Sequence, residues 1–179
     1  TDGGGANHTV DFAVAQAFSA NSAKFGGSNA DNPTANVFTI GTHNEINADG
    51  ESFVFYALRS IPGVCKVGKY VGNGDDTHGP YISLGFTPRY ILIKNIGAAQ
   101  NWIIWDTARS PYNQLNNTLF ADDDGGESTS STYGRDMLSD GFKLRGSDHA
   151  IINASNNNYL YMAMADIAGN GTLPPIYGR

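Results

Sequence analysis

The stretch ADDDGGES, residues 121–128, gathers Asp122, Asp123, Asp124 and Glu127 around two glycines. Calcium takes ~6 to 8 oxygen ligands, often from carboxylates on a turn. Asp122, Asp124 and Glu127 could therefore supply part of a calcium site, although EF-hand spacing is absent and a solvated acidic loop explains the same residues. Asp75 and Asp76 in GNGDDTHG pose the same choice. No other cofactor is suggested. The four histidines, His8, His43, His78 and His149, are too far apart in sequence to form a local zinc motif.

Hydrolytic chemistry finds little support. A glycosidase holds two carboxylates ~5 to 9 Å apart across the bond it cleaves. The glutamates are Glu45, Glu51 and Glu127, and none falls in an alternating acidic pattern along one strand. No Ser-His-Asp grouping or cysteine nucleophile stands out. The residues point to a protein that is not an enzyme. Sugar binding needs less, namely amide or hydroxyl partners for sugar hydroxyls and a flat ring for the sugar face. Trp102, Trp105, Tyr112, Asn113, Tyr133 and Asn156 are the residues of that kind to follow, each of which could equally be core or turn. Loops 73–79, 109–117 and 153–158, gathered at one end of the fold, would carry such a site.

The elements that must position these side chains are strands. Among 179 residues, 40% are hydrophobic and only 16% charged, with 22 Gly, so Asn, Ser and Thr must supply much of the polar surface. Those residues favour turns and short strands. The formal charge of −6 and scattered Lys and Arg argue against a nucleic-acid partner. Residues 1–30 lack the pattern of a signal peptide, and no apolar run reaches the ~20 residues of a membrane span. Cys65, the only cysteine, cannot form an internal bridge.

Alternation with a period of two marks strands over 36–41, 52–59, 66–72, 81–86, 90–95, 101–106, 141–146 and 159–166. In RYILIKN and NWIIWD apolar side chains point both ways, which predicts a central hairpin with Ile91, Ile93, Ile103 and Trp105 between sheets and a further layer outside. Pro88 rules out a helix there. Residues 10–25 suit either a helix or two short strands.

One pattern organises the whole chain. HNEINADGESFVFYALRSIPG (43–63) lies over HAIINASNNNYLYMAMADIAG (149–169) at a constant offset of about 106 residues. His43 matches His149, Ile46-Asn47-Ala48 matches Ile152-Asn153-Ala154, and Phe53 and Phe55 fall on Tyr159 and Tyr161. Upstream, VFTIG aligns with GFKLRG after a gap of about two residues. Self-similarity at a fixed offset predicts a repeated unit. Residues 64–169 then form one complete unit, 1–63 the closing half of a preceding one, and 170–179 a tail. A half unit cannot close its own core, so it must pack against the complete one or against another chain.

KVGKYVGNG, ISLGFTPRYILIKN, NWIIWDTAR, SDGFKLRG and YLYMAMAD resemble, in order and spacing, a domain recurrent in tail-fibre and other virion proteins of marine tailed bacteriophages. The resemblance covers roughly 64–169 and is echoed in 36–63, where no LGFxP segment is present. It implies an all-β, concanavalin-like jelly-roll sandwich with an N-terminal partial repeat. It also implies a structural or adhesive role in the virion, after assembly in the host cytoplasm. GTLPPIYGR is similar to chain endings in such proteins, which implies the C-terminal part of a tail fibre. The expected partners are other copies of the chain, virion proteins and a host-surface glycan. Alternatives are a head-decoration or fibre-shaft module, or a polysaccharide depolymerase.

Overall fold

The computed structural model describes residues 8–20, 23–24, 36–146 and 150–166. The chain forms two compact units, one of residues 1–11 and 17–57, the other of 12–16 and 58–179. The described part is nearly all-β, with almost no helix.

In the first unit, β1 (His8–Thr9) pairs antiparallel with β2 (Ser19–Ala20), so the described part of 10–25 is neither a helix nor two strands but turns and irregular chain around one two-residue strand. A single helical turn, α1 (Asn44–Asn47), starts where His43 Nδ1 accepts the Glu45 N–H at 3.3 Å. That contact satisfies one of the donors a helix start leaves open. Asn47 then ties the turn to the Gly41 carbonyl at 2.9 Å. Lys24 is buried, with Asp11 at 3.3 Å and Glu45 as its ion-pair partners. The hydrogen bond to Glu45, reinforced by Asp11, raises its pKa against the opposing effect of burial. Phe38 stacks on Phe55 with ring centroids 4.2 Å apart.

The expected strands of this unit are not formed. Residues 36–41 carry one bridge position, at Ile40, and 51–59 run without strand, turn or bend. Alternation expresses a strand preference, but a strand also needs a neighbour for its backbone groups.

The second unit holds the remaining strands, in chain order β3 (Cys65–Val71), β4 (Tyr81–Ser83), β5 (Pro88–Asn95), β6 (Ile103–Asp106), β7 (Leu119–Phe120), β8 (Arg135–Leu138), β9 (Gly141–Leu144) and β10 (Asn158–Ala165). They make two antiparallel sheets, a five-stranded one ordered β3-β10-β5-β6-β7 and a three-stranded one ordered β4-β9-β8. Pro88 opens β5, a place where its missing donor costs the ladder little.

Ile91 opposes Trp105 and Ile93 opposes Ile103 across the β5–β6 hairpin, and all four are fully buried. Tyr70, Tyr159 and Tyr161 from the five-stranded sheet join Ile82, Phe142, Leu144 and Met137 from the other in one core. Tyr159 stacks on Tyr70 at 4.8 Å, and Phe142 sets its edge against Tyr161 at 5.9 Å.

The outer face of the large sheet is apolar too. Val67, Leu92, Trp102, Leu160 and Met162 line a cavity of about 200 Å³ there, with Leu58 at its edge and Phe12 resting 4.9 Å from the Trp102 ring. Leu92 of β5 is accordingly buried on this face, opposite the core. Lys94 shares this face, fully buried, bonded to the Gln100 carbonyl and 5.7 Å from the Trp102 ring centre. Burial pulls its pKa down, and Asp122 partly opposes this.

Two glycine motifs have steric causes. In LGFTP, Gly85 has φ +82°, a conformation glycine adopts freely, and its N–H joins that of Leu84 on the Asp140 carbonyl. A Cβ on Gly72 of GNG would lie 2.2 Å from the Ala154 oxygen, so the β3 end and the turn before β10 can touch only without a side chain there.

Candidate ligand-binding cleft

The strand registers fix two ends of the second unit. Val71 faces Asn158 and Asn95 faces Tyr159 at one end, while Tyr90 faces both Asp106 and Met164 at the other. Loops 73–79 and 153–158 meet at the first end. Asn153 accepts the Asn73 N–H at 3.0 Å and donates to the Asp75 carbonyl at 3.0 Å, and the Asn156 N–H reaches the Gly72 carbonyl at 2.9 Å. Loop 109–117 leaves β6 at the opposite end, so the structure separates it from the two loops with which the sequence groups it.

That second end carries a cleft of about 320 Å³. Pro88, Pro111, Leu115 and Met137 line it with apolar groups, and Thr87, Thr107, Asn113 and Asp166 with polar ones. Asp166 lies 3.8 Å from the Arg89 guanidinium, and its N–H donates to the Thr87 carbonyl.

The loop beside the cleft is pinned at two points. Asp106 accepts the N–H groups of Ala108 and Arg109, both at 2.9 Å, and pairs with the Arg109 side chain. Arg109 also pairs with Glu127, whose other oxygen accepts from Asn117 at 2.6 Å. Burial would raise the Asp106 pKa, but the Arg109 backbone and guanidinium hydrogen bonds outweigh it and hold the carboxyl below its usual range. Four residues on, the Asn113 amide grips β8, donating to the Met137 carbonyl at 2.8 Å and accepting its N–H at 2.9 Å. Between the two anchors Tyr112 is 83% exposed. An anchored loop that displays a bare ring is a suitable platform for a flat ligand face.

The other sequence candidates are placed elsewhere. Trp105 is core, its Nε1–H donating to Thr118 at 3.0 Å and its ring 4.7 Å from the Arg135 guanidinium, out of reach of any surface ligand. Trp102 is buried on the outer sheet face. Tyr133 is half-buried with its edge against Phe120, and burial raises its pKa. Asn156 is exposed with φ 62°, a turn residue in the left-handed region.

The acidic loop does not converge. Asp122 caps the Trp102 N–H at 2.9 Å, Asp123 accepts from Gly125, Asp124 is exposed and Glu127 is held by Arg109. Among the described residues no group of three or more His, Cys, Asp or Glu side chains could hold a metal.

Sequence reasoning did not nominate Thr87, Thr107, Pro111 and Asp166 as site residues; the first, second and fourth lie in the LGFTP, NWIIWDTAR and YLYMAMAD segments and Pro111 in the 109–117 loop, but they meet only through strand register. It also missed Arg135, fully buried, with its guanidinium bonded to Asn117 and Tyr133 carbonyls and the Thr118 hydroxyl. Burial, and then the Arg109 charge, lower its pKa to about 9.

Residues 4–167 match a family described as a domain of unknown function, DUF7483. No curated protein and no solved structure matches the chain.

Proposed function

We propose that this chain, which belongs to the DUF7483 family, is a non-enzymatic module of a tailed-phage virion protein that binds a host-surface glycan at the cleft beside Tyr112. The observation that carries the binding reading is the solvent-facing Tyr112 ring, held between the Arg109 and Asn113 anchors next to a cleft lined by both apolar and polar groups. A sugar ring has that same division into an apolar face and a hydroxyl edge. The virion setting is supported by the order and spacing of the GNG, LGFxP, IKN and DGF motifs. With it comes the finer architecture, a concanavalin-like jelly roll followed in sequence order from a duplicated ending, at the distal part of a tail fibre.

A glycan array of host-envelope polysaccharides tests the reading. Retention is expected for the native chain and should weaken about fivefold or more in Tyr112→Ala, the size of loss that truncating an energetically important contact residue causes. Thermal stability should stay unchanged, because the ring is exposed. Equal retention by both proteins would remove the cleft from the proposal. Release of oligosaccharides from a bound polymer would replace the binding reading with a depolymerase.

A further inference from the structure

We infer that residues 51–59 form an intermolecular β-strand pair with the same segment of a second copy of this chain, antiparallel and centred on Phe55. This inference is independent of the glycan reading.

Its starting point is an unmet need. GESFVFYALR has the alternation of β10 and aligns with it, yet β10 has β3 on one edge and β5 on the other, while 51–59 belongs to no ladder. Its side chains are correspondingly bare: Val54 is 81% exposed, Tyr56 84%, Leu58 60% and Phe55 56%. The pair Phe38 and Phe55 occupies the aligned positions of Phe142 and Tyr161; there the rings meet edge to face inside the core, whereas Phe38 and Phe55 stack face to face outside any sheet. Phe142 is fully buried and Tyr161 nearly so. Exposed apolar surface of this kind marks an interaction site, and an unpaired extended segment is a template for another strand.

The neighbouring strand in the same chain is already closed to it. A hairpin into β3 begins at the Ile61–Cys65 bridge but goes no further, because the Ser60 hydroxyl accepts the Val67 N–H at 3.0 Å and donates to the Val67 carbonyl at 3.2 Å. The groups that Arg59 would need are taken.

Charge then selects the partner. Glu51 begins the segment and Arg59 ends it, with no charged residue between them. Two such strands laid antiparallel about Phe55 oppose Val54 to Tyr56, Ser52 to Leu58 and Glu51 to Arg59 of the second copy, once on each side of a two-fold axis. Opposite charges facing across a strand pair favour that register, and an isologous contact uses the same surface twice.

The test uses the full chain in analytical ultracentrifugation together with cysteine cross-linking. A concentration-dependent dimer is expected. Glu51→Arg should weaken it about tenfold or more by setting like charges opposite each other at two places. Arg59→Glu should do the same, and the double swap Glu51→Arg/Arg59→Glu should restore it. In a Cys65→Ser background, Phe55→Cys should cross-link to itself readily. Val54→Cys and Tyr56→Cys should cross-link mainly when the two proteins are mixed. A monomer at every concentration would overturn the inference, as would a dimer indifferent to the charge reversals or cross-linking centred away from Phe55, which would assign the surface to a different occupant. Both charged side chains are exposed, so the reversals leave the fold intact, and circular dichroism checks this.

Discussion

Replacing Tyr159 by Phe isolates the joint between the large sheet and the turn that precedes β10. The hydroxyl is fully buried, donates to the Ala150 carbonyl at 3.0 Å, and accepts the Ala154 N–H at 2.8 Å. Asn95 lies 3.4 Å from the same oxygen. Phe keeps the ring stacked on Tyr70 but strands the part-buried Ala154 N–H, and leaving a donor unpaired costs ~1 to 3 kcal/mol. A loss of about 2 kcal/mol shifts the urea midpoint by roughly 1 M at a slope of about 2 kcal/mol per M, and the thermal midpoint by about 4–8 °C. Tryptophan fluorescence follows the transition, since Trp105 sits in the same core. Tyr161→Phe is the control, because its hydroxyl lies against the Gly68 backbone in a position that a Cβ would contest at 2.6 Å. That variant should stay within ~0.5 kcal/mol of the native chain. Equal losses in the two variants would refute the assignment of the Tyr159 hydroxyl as the tie between turn and sheet.

Three further outcomes follow from the same geometry. Gly72→Ala should destabilise by more than ~2 kcal/mol, since its Cβ would meet backbone oxygen that cannot swing away. Gly85→Ala, with open space around it but φ +82°, should cost only about 1 kcal/mol; denaturant titration separates the two, and equal costs would sink the steric account. Asp106→Asn should lose about 1 kcal/mol at pH 7. The Asp106 pKa is depressed in the folded state, so its contribution is complete above the unfolded value of ~3.9 and fades as pH falls through the folded value. The stability gap between the native chain and the Asp106→Asn variant should therefore close in acid, and a gap independent of pH from about 7 to about 2 would contradict the sign.

The legible part of the fold was the part governed by alternation. Ile91, Ile93, Ile103 and Trp105 are all fully buried in antiparallel partners, because inward residues at every second position leave a strand only one register that hides them. The extra layer outside β5 was legible for the same reason: Leu92 and Trp102 are apolar on the face opposite the core. Strand β8 was not. RDML contains no alternating apolar run, and its Arg135 is buried by stacking on Trp105 and bonding to carbonyls, an arrangement that depends on residues remote in sequence. The cleft was half legible. Tyr112 and Asn113 could be nominated by residue type, whereas Thr87, Thr107 and Asp166 become neighbours only once β5, β6 and β10 are in register.

The segment 51–59 shows what alternation does and does not encode. It resembles β10 in residue type, and its Phe55 packs on Phe38 as the aligned Tyr161 packs on Phe142, though stacked rather than edge to face. Even so, β10 is a strand and 51–59 is not. A periodic pattern specifies which face of a strand is apolar, but the backbone groups along both edges are satisfied only by particular neighbours. Side chains written for a closed core therefore remain at the surface where, among the described residues, no adjacent strand is supplied. Such a surface is costly in an isolated molecule, so the aromatic run is better understood as one half of a contact than as a failed strand.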